Sequence, residues 1–212
     1  MDTVTCSKCG TPRPPELAQG FERPPCPQCG ETSLTISISL NETLSISSYA
    51  SAELIPGNQS RDWNQRWKLI QDEIPIILQP HTTPMSGDLI HTSLQRLLSF
   101  FILSYHLKDA LKGAAPGLGL KPSDVESAIT NDARLALLAD LANLDKHMKL
   151  TKAPRSGTVP SIEKISGVDD QASGGWMLSV QIKHGASTLD GLNIAKDAVN
   201  AWQQWLKTWG LI

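Results

Sequence analysis

Four cysteines, all within the first 29 residues, constrain the fold of this 212-residue chain more than any other feature. They form two Cys-x-x-Cys pairs, Cys6 with Cys9 and Cys26 with Cys29. Sixteen residues separate the pairs, and a glycine follows each one. Each pair directs two sulfurs to one side of a tight turn, and four thiolates are ligands that zinc prefers in a tetrahedral site. The spacing therefore predicts one structural Zn²⁺, rather than disulfides, a redox pair or an iron–sulfur site.

Residues 4 to 32 resemble the zinc-ribbon family through these two Cys-x-x-Cys-Gly turns. The resemblance implies a small β-hairpin module, and such modules bind nucleic acid, protein or neither. The charges of the segment nearly cancel, which argues against strong phosphate binding. We therefore expect the ribbon to stabilise the fold or to dock a protein partner. The charged side chains are Lys8, Arg13, Arg23, Asp2, Glu16, Glu22 and Glu31.

The overall composition indicates a globular, cytoplasmic protein. Hydrophobic residues make up 40% of the chain, which is enough for a core, and the net charge of −2 excludes a strongly basic nucleic-acid-coating protein. The polar, cysteine-bearing start does not look like a signal peptide. The most apolar stretch, Leu97 to Leu107, is shorter than the roughly 20 residues of a membrane span, so we predict no membrane association.

Hydrophobic periodicity predicts an α+β, mainly α fold, with the small ribbon, short strands or a hairpin, and a bundle of about four helices. The expected domains are a zinc ribbon at 1–32, a β-strand or hairpin connector at 33–57, and a helical domain at 58–212 with a small β-insertion near 158–184.

The individual elements follow from period-two and period-3.6 patterns, with Pro and Gly as boundaries. The predicted strands are 34–40, a second strand carrying Leu44 and Ile46, 158–165 and 176–183. The predicted helices are 61–78 with an end or kink at Pro75, 86–112 capped by Ser86, 122–149, and 187–208 with a buried tryptophan stripe.

Two groups of polar residues lie on helices that are otherwise apolar. Asp140, Asn143 and His147 are spaced by three and four residues, so they share one face of the predicted third helix. His106 and Asp109 lie one turn apart on the second helix. Side chains of these types can move protons and orient a phosphate, which makes them candidate catalytic residues. The structural alternative is that they satisfy one another and nearby backbone groups at a helix end.

The helical part, with its Asn-x-x-x-His, resembles the HEPN superfamily of small helical-bundle proteins. Many of these are metal-independent ribonucleases of prokaryotic toxin and antiphage systems. The resemblance implies RNA transesterification, with His147 as the general acid or base, Asn143 orienting the phosphate and Lys146 offsetting charge. It also implies a homodimer. The family's motif arginine corresponds to Ala142 here. Lys146 replaces that arginine only in part, because a lysine lacks the bidentate fork of an arginine.

A run without carboxylates extends from Lys146 to Ile162. It predicts a cationic edge that can hold RNA phosphates. The alternative is that cations near a helix C-terminus simply complement the helix dipole, and the sequence favours neither. The cations are Lys146, Lys149, Lys152 and Arg155.

Two functions therefore remain open. One is a zinc-ribbon, HEPN-like protein that binds or cleaves RNA in a defence or toxin context. The other is a non-catalytic, zinc-binding module for protein interaction or dimerisation. A metalloenzyme that uses His81, His91 or His106 is not favoured, because these histidines lack metal-ligand spacing and four cysteines close the zinc site.

Overall fold

The computed structural model describes residues 3–15, 17, 23–37, 62–147 and 152–212, with residues 145–147 described by their backbone alone. The strands are β1 (Thr3–Cys6), β2 (Leu34–Ser37), β3 (Ser161–Asp170), β4 (Gly175–His184) and β5 (Ser187–Asp190). The helices are α1 (Trp63–Leu78), α2 (Gly87–Ala114), α3 (Pro122–Asn131), α4 (Ala133–His147) and α5 (Gly191–Thr208), with a 3₁₀ turn at Ala115–Leu118.

The five described strands form one antiparallel sheet in the order β1-β2-β3-β4-β5. β1, which ends at Cys6, and β2, which follows Cys29, both belong to this sheet. β2 pairs with β3, and Ile36 lies opposite Gly167. On the other side of β2, Val4 of β1 lies opposite Ile36. The N-terminal hairpin is therefore continuous with strands that come more than a hundred residues later in the chain.

The hydrophobic core lies between the inner face of the sheet and the helices. α2 and α5 contact β4, and α2 also contacts β3. Trp202 of α5 is fully buried, and its indole N–H donates to the Ser104 carbonyl of α2 at 3.0 Å, which satisfies its one polar atom. The alternating β4 side chains that face this core are Trp176, Leu178, Val180 and Ile182.

Five described helices and a five-stranded sheet confirm an α+β fold, but they do not confirm a mainly α chain or a four-helix bundle. The predicted α2 and β4 are close to those observed. The Ser86 hydroxyl caps α2 by accepting from the Leu89 amide at 3.3 Å. The tryptophan stripe of α5 packs on the core as expected.

Two element predictions need correction. The single helix expected at 122–149 is two helices, because Asp132 adopts an extended backbone and accepts from the Arg134 amide, so a new helix begins there. Residues 187–190 form β5, and Asp190 caps α5 instead of Ser187 or Thr188. α1 ends at Leu78 as predicted, with Pro75 inside it, so of the two effects expected of Pro75 an end of the helix is excluded.

The predicted strand around Leu44 and Ile46 lies outside the described residues, and the proposed domain boundaries stay a prediction. In the described part of the chain, no helix combines the length and apolar character that crossing a bilayer requires. The cytoplasmic location stays a prediction as well.

Candidate functional site

Each cysteine pair lies in a tight turn closed by backbone hydrogen bonds. The Gly10 amide donates to the Cys6 carbonyl at 2.9 Å, and the Gly30 amide donates to the Cys26 carbonyl at 2.8 Å. Both glycines have a positive φ, 72° and 74°, which side chains with a Cβ rarely adopt. The two glycines noted in the sequence are thus the residues that allow the chain to turn back after each pair.

These two turns face each other and bring the four sulfurs together. The Cys6 and Cys29 Sγ atoms are 3.5 Å apart, those of Cys9 and Cys26 are 3.7 Å apart, and all four lie within 4.8 Å of one another. A zinc–sulfur distance of about 2.3 Å gives tetrahedral sulfur separations of about 3.8 Å. The cluster therefore fits a structural metal ion such as Zn²⁺, with all four positions supplied by protein.

The electrostatics of the cluster also favour a cation. Hydrogen bonds from the hydroxyl and the amide of Thr11 lower the pKa of Cys9 to about 6. The Glu31 amide lowers the pKa of Cys29, but burial and the neighbouring sulfurs outweigh it and raise that pKa to about 12. Burial raises the pKa of Cys26, but backbone hydrogen bonds from Gln28 and Cys29 outweigh it and lower that pKa. The protein thus stabilises two thiolates and resists a third nearby, which is the conflict that a divalent ion removes.

Asp169 of β3 ties the metal-binding segment to the sheet. Its Oδ2 accepts from the Leu34 amide at 2.6 Å and from Arg23 Nη1 at 2.5 Å. A further bond joins Gln171 Nε2 to the Ser33 hydroxyl at 3.2 Å. β3 and the turn after it therefore hold the chain on both sides of Cys26 and Cys29.

Asp140 belongs to the predicted polar group on α4. It is a structural carboxylate that is buried, with 2% of its surface exposed. It accepts from the amides of Arg155 and Ser156 at 3.0 and 2.8 Å, and from the Ser156 hydroxyl at 2.6 Å. His184 Nε2 lies 2.9 Å from the same hydroxyl. The carboxylate thus fixes the loop before β3 against α4, as the structural alternative for this residue requires.

The other candidates on α4 are less closely defined. Asn143 is partly buried, and Lys146 and His147 lie in the last turn, where only the backbone is described. Lys149 lies outside the described residues. Their proposed catalytic roles stay predictions.

Of the predicted phosphate-binding cations, two have described side chains. Lys152 is exposed. Arg155 instead contacts α3, with Nη2 3.1 Å from Glu126 and Nη1 3.3 Å from the Thr130 hydroxyl. Its charge is already partly compensated, so Lys152 is the more available of the two for an anion.

His106 and Asp109 do meet on α2, with His106 Nδ1 2.7 Å from the carboxylate. Lys108 Nζ lies 2.6 Å from the same carboxylate. Partial burial raises the pKa of Asp109, but the hydrogen bonds from Lys108 and His106 outweigh it and lower that pKa. Asp109 is therefore an ionised surface carboxylate that pairs with Lys108 and His106.

Sequence reasoning did not single out Thr11, Asp169 or Ser156. Thr11, two residues after Cys9, could have been found as a hydroxyl close enough to contact a ligand sulfur. Asp169 and Ser156 act on partners far away in sequence, so no local pattern marks them.

The Cys6, Cys9, Cys26 and Cys29 cluster is the one group of potential metal ligands found among the described residues. Comparison of the chain with protein-family models, curated proteins and solved structures finds no match. The assignment of zinc therefore depends on the spacing and geometry of the cysteines.

Proposed function

We propose that this protein is a non-catalytic, zinc-stabilised α+β module whose N-terminal turns present a contact surface to another protein. The observation that carries the proposal is the position of the cysteines. Cys6 ends β1, and Cys29 lies shortly before β2, which pairs with β3. A metal ion at this point joins the end of β1 to the segment that leads into β2, and β2 in turn pairs with the rest of the sheet.

The chemistry of the metal site supports a structural role. Four cysteine ligands complete the coordination of zinc and leave no open position for a substrate or an activated water. Lys8 and Gln28 are exposed next to the ligands, so the two turns offer polar side chains to a partner without exposing the core.

Protein capture with the full zinc-loaded chain tests this proposal. We expect at least one protein to be retained by wild type, released by a zinc chelator, and lost in a Lys8→Glu, Gln28→Glu double variant that keeps its zinc. A Lys121→Glu, Gln71→Glu variant, which changes exposed residues elsewhere, serves as the control. Equal retention by both variants would contradict a role for the turns in binding.

RNA cleavage by a HEPN-like site at Asn143 and His147 is the second candidate. The contact between Asp140 and the backbone of Arg155 and Ser156 favours it, because it keeps the segment that carries Lys152 beside α4. A basic side chain on a segment held beside the helix that carries Asn143 and His147 supports binding of an RNA backbone there. The expected homodimer fits both candidates, because the HEPN resemblance implies it and the non-catalytic module includes dimerisation.

Incubation with total RNA in the presence of EDTA distinguishes the two candidates. A nuclease predicts cleavage by wild type that His147→Ala and Asn143→Ala abolish and that His91→Ala retains. If no protein cleaves RNA at high concentration, the non-catalytic proposal stands. The molar mass in solution tests the dimer separately.

A further inference from the structure

A half-open cavity of about 190 Å³ lies between the C-terminal end of α1, the start of the segment that joins it to α2, and β4. None of the residues assigned above to zinc or to RNA lines it. A water molecule occupies about 30 Å³ of liquid, so this space suits a ligand of about six to ten heavy atoms. The residues that define its chemistry are Ile76, Ile77, Leu178, His81, Ser93 and Arg96.

The imidazole in this cavity has a fixed orientation. The His81 ring stacks on Trp176 with centroids 4.2 Å apart, and its backbone pairs with Trp176 in both directions. Ser93 Oγ lies 2.8 Å from the Leu89 carbonyl oxygen and 3.1 Å from His81 Nε2. The hydroxyl therefore links the ring to the backbone of α2.

Arg96 has hydrogen-bond donors to spare. A guanidinium offers five N–H groups, and Glu73 accepts one from Nε and one from Nη2. The two on Nη1 have no protein partner among the described residues. Glu73 itself does not line the cavity, and the described lining contains no acidic side chain. The polar wall is thus rich in donors, and Glu73 partly compensates the charge of its one cation, Arg96.

The remaining wall is apolar, with Ile76, Ile77 and Leu178 on it. A ligand that matches both walls combines a negative group with a short hydrocarbon part. We propose that this cavity binds a small organic monocarboxylate, with its carboxylate on Nη1 of Arg96 and its hydrocarbon part against Ile76, Ile77 and Leu178.

The titration of His81 reports on such a ligand. Burial and the positive charge of Arg96 both lower the pKa of His81. A bound carboxylate compensates the charge of Arg96, so the pKa of His81 rises when the site fills. A group that served only to hold the fold together would not show this dependence on ligand.

Calorimetric titration of the full zinc-loaded chain with hexanoate and benzoate tests the site. We expect saturable binding with a dissociation constant of about 0.1–10 mM. Inorganic phosphate binds more weakly, because it gains nothing from the apolar wall. NMR titration of His81 in saturating hexanoate gives a pKa above that of the free protein.

Four variants complete the experiment. Arg96→Gln weakens hexanoate binding by about tenfold or more, and Glu73→Gln strengthens it by removing the competing carboxylate. Ile76→Trp fills the cavity from an exposed position and blocks binding while Arg96 remains. Arg155→Gln, which alters another arginine paired with a carboxylate, leaves the dissociation constant unchanged.

Failure of both carboxylates to saturate the wild-type protein would overturn the proposal. So would equal affinity in Arg96→Gln and wild type, or phosphate binding as tight as that of hexanoate. These outcomes are independent of zinc content and RNA cleavage, so they leave the proposed function as it stands.

Discussion

Two carboxylates, Asp140 and Asp169, each hold a segment of chain that is distant in sequence. Asp140 accepts three hydrogen bonds from Arg155 and Ser156, and Asp169 accepts the amide of Leu34 and a guanidinium N–H of Arg23. A buried donor that loses its partner carries a desolvation penalty, so such carboxylates matter more to stability than exposed ion pairs.

Replacement of Asp140 by alanine tests this at the residue scale. The variant leaves the two loop amides and the Ser156 hydroxyl without their acceptor, and we expect the free energy of unfolding to fall by about 2 kcal/mol or more. Urea denaturation measures the change. Asp72→Ala, which removes an exposed carboxylate from α1, is the matched control and should be nearly neutral. Equal effects of the two substitutions would contradict the role given to Asp140.

At the scale of elements, the junction between α3 and α4 depends on Asp132. Hydrogen bonds from Arg134 lower the pKa of this carboxyl, against an opposing effect of burial, and the Trp205 indole donates to it at 3.2 Å. A carboxyl whose pKa is lowered on folding contributes stability above its unfolded pKa of about 3.9 and loses it as the pH falls through the folded value.

We therefore expect Asp132→Asn to lower the free energy of unfolding by about 1–2 kcal/mol at pH 7. The difference from wild type should shrink as the pH falls below about 4, where the wild-type carboxyl takes up its proton. Denaturation curves between pH 7 and pH 2 measure both. A difference that does not vary with pH would show that the charge of Asp132 is not what stabilises the junction.

A second prediction at the scale of elements concerns the contact between β4 and the segment after α1. A Cβ on Gly175 would lie 2.3 Å from the His81 carbonyl oxygen. Because that oxygen belongs to the backbone, the clash is relieved only if one of the two chain segments moves. Gly175→Ala should therefore break the His81–Trp176 bridge and cost about 2 kcal/mol, measured by thermal unfolding. Gly113→Ala, where a Cβ meets no atom within 4 Å, is the control and should be neutral or slightly stabilising.

For the molecule as a whole, sequence patterns predicted those features that depend on near neighbours. The cysteine spacing predicted the cluster of four sulfurs, and Ser86 with the apolar run after it predicted α2. The break at Asp132 was missed because neither Pro nor Gly marks it. β5 was missed because its Ser187 and Thr188 look like helix caps.

The pairing of β2 with β3 could not be predicted in the same way, since partners such as Ile36 and Gly167 are far apart in sequence and a period-two pattern does not specify which strand lies beside it. For the same reason neither the acceptor role of Asp169 nor the identity of the partners of Asp140 was predicted. The helix-end residues Asn143 and His147 were found by their spacing, but spacing alone does not decide between catalysis and structure.

The central claim is that one metal ion joins β1 to the chain that leads into β2 and so stabilises both strands at the edge of the sheet. Amide hydrogen exchange, with zinc content measured by native mass spectrometry, tests it most directly. We predict one zinc per chain. Chelation should deprotect the amides of β1, β2 and their β3 partners, such as Val168, while the amides of α2 and α5 exchange slowly in both states. A chain that binds no zinc, or a zinc-free chain that keeps β1 and β2 fully protected, would contradict the account.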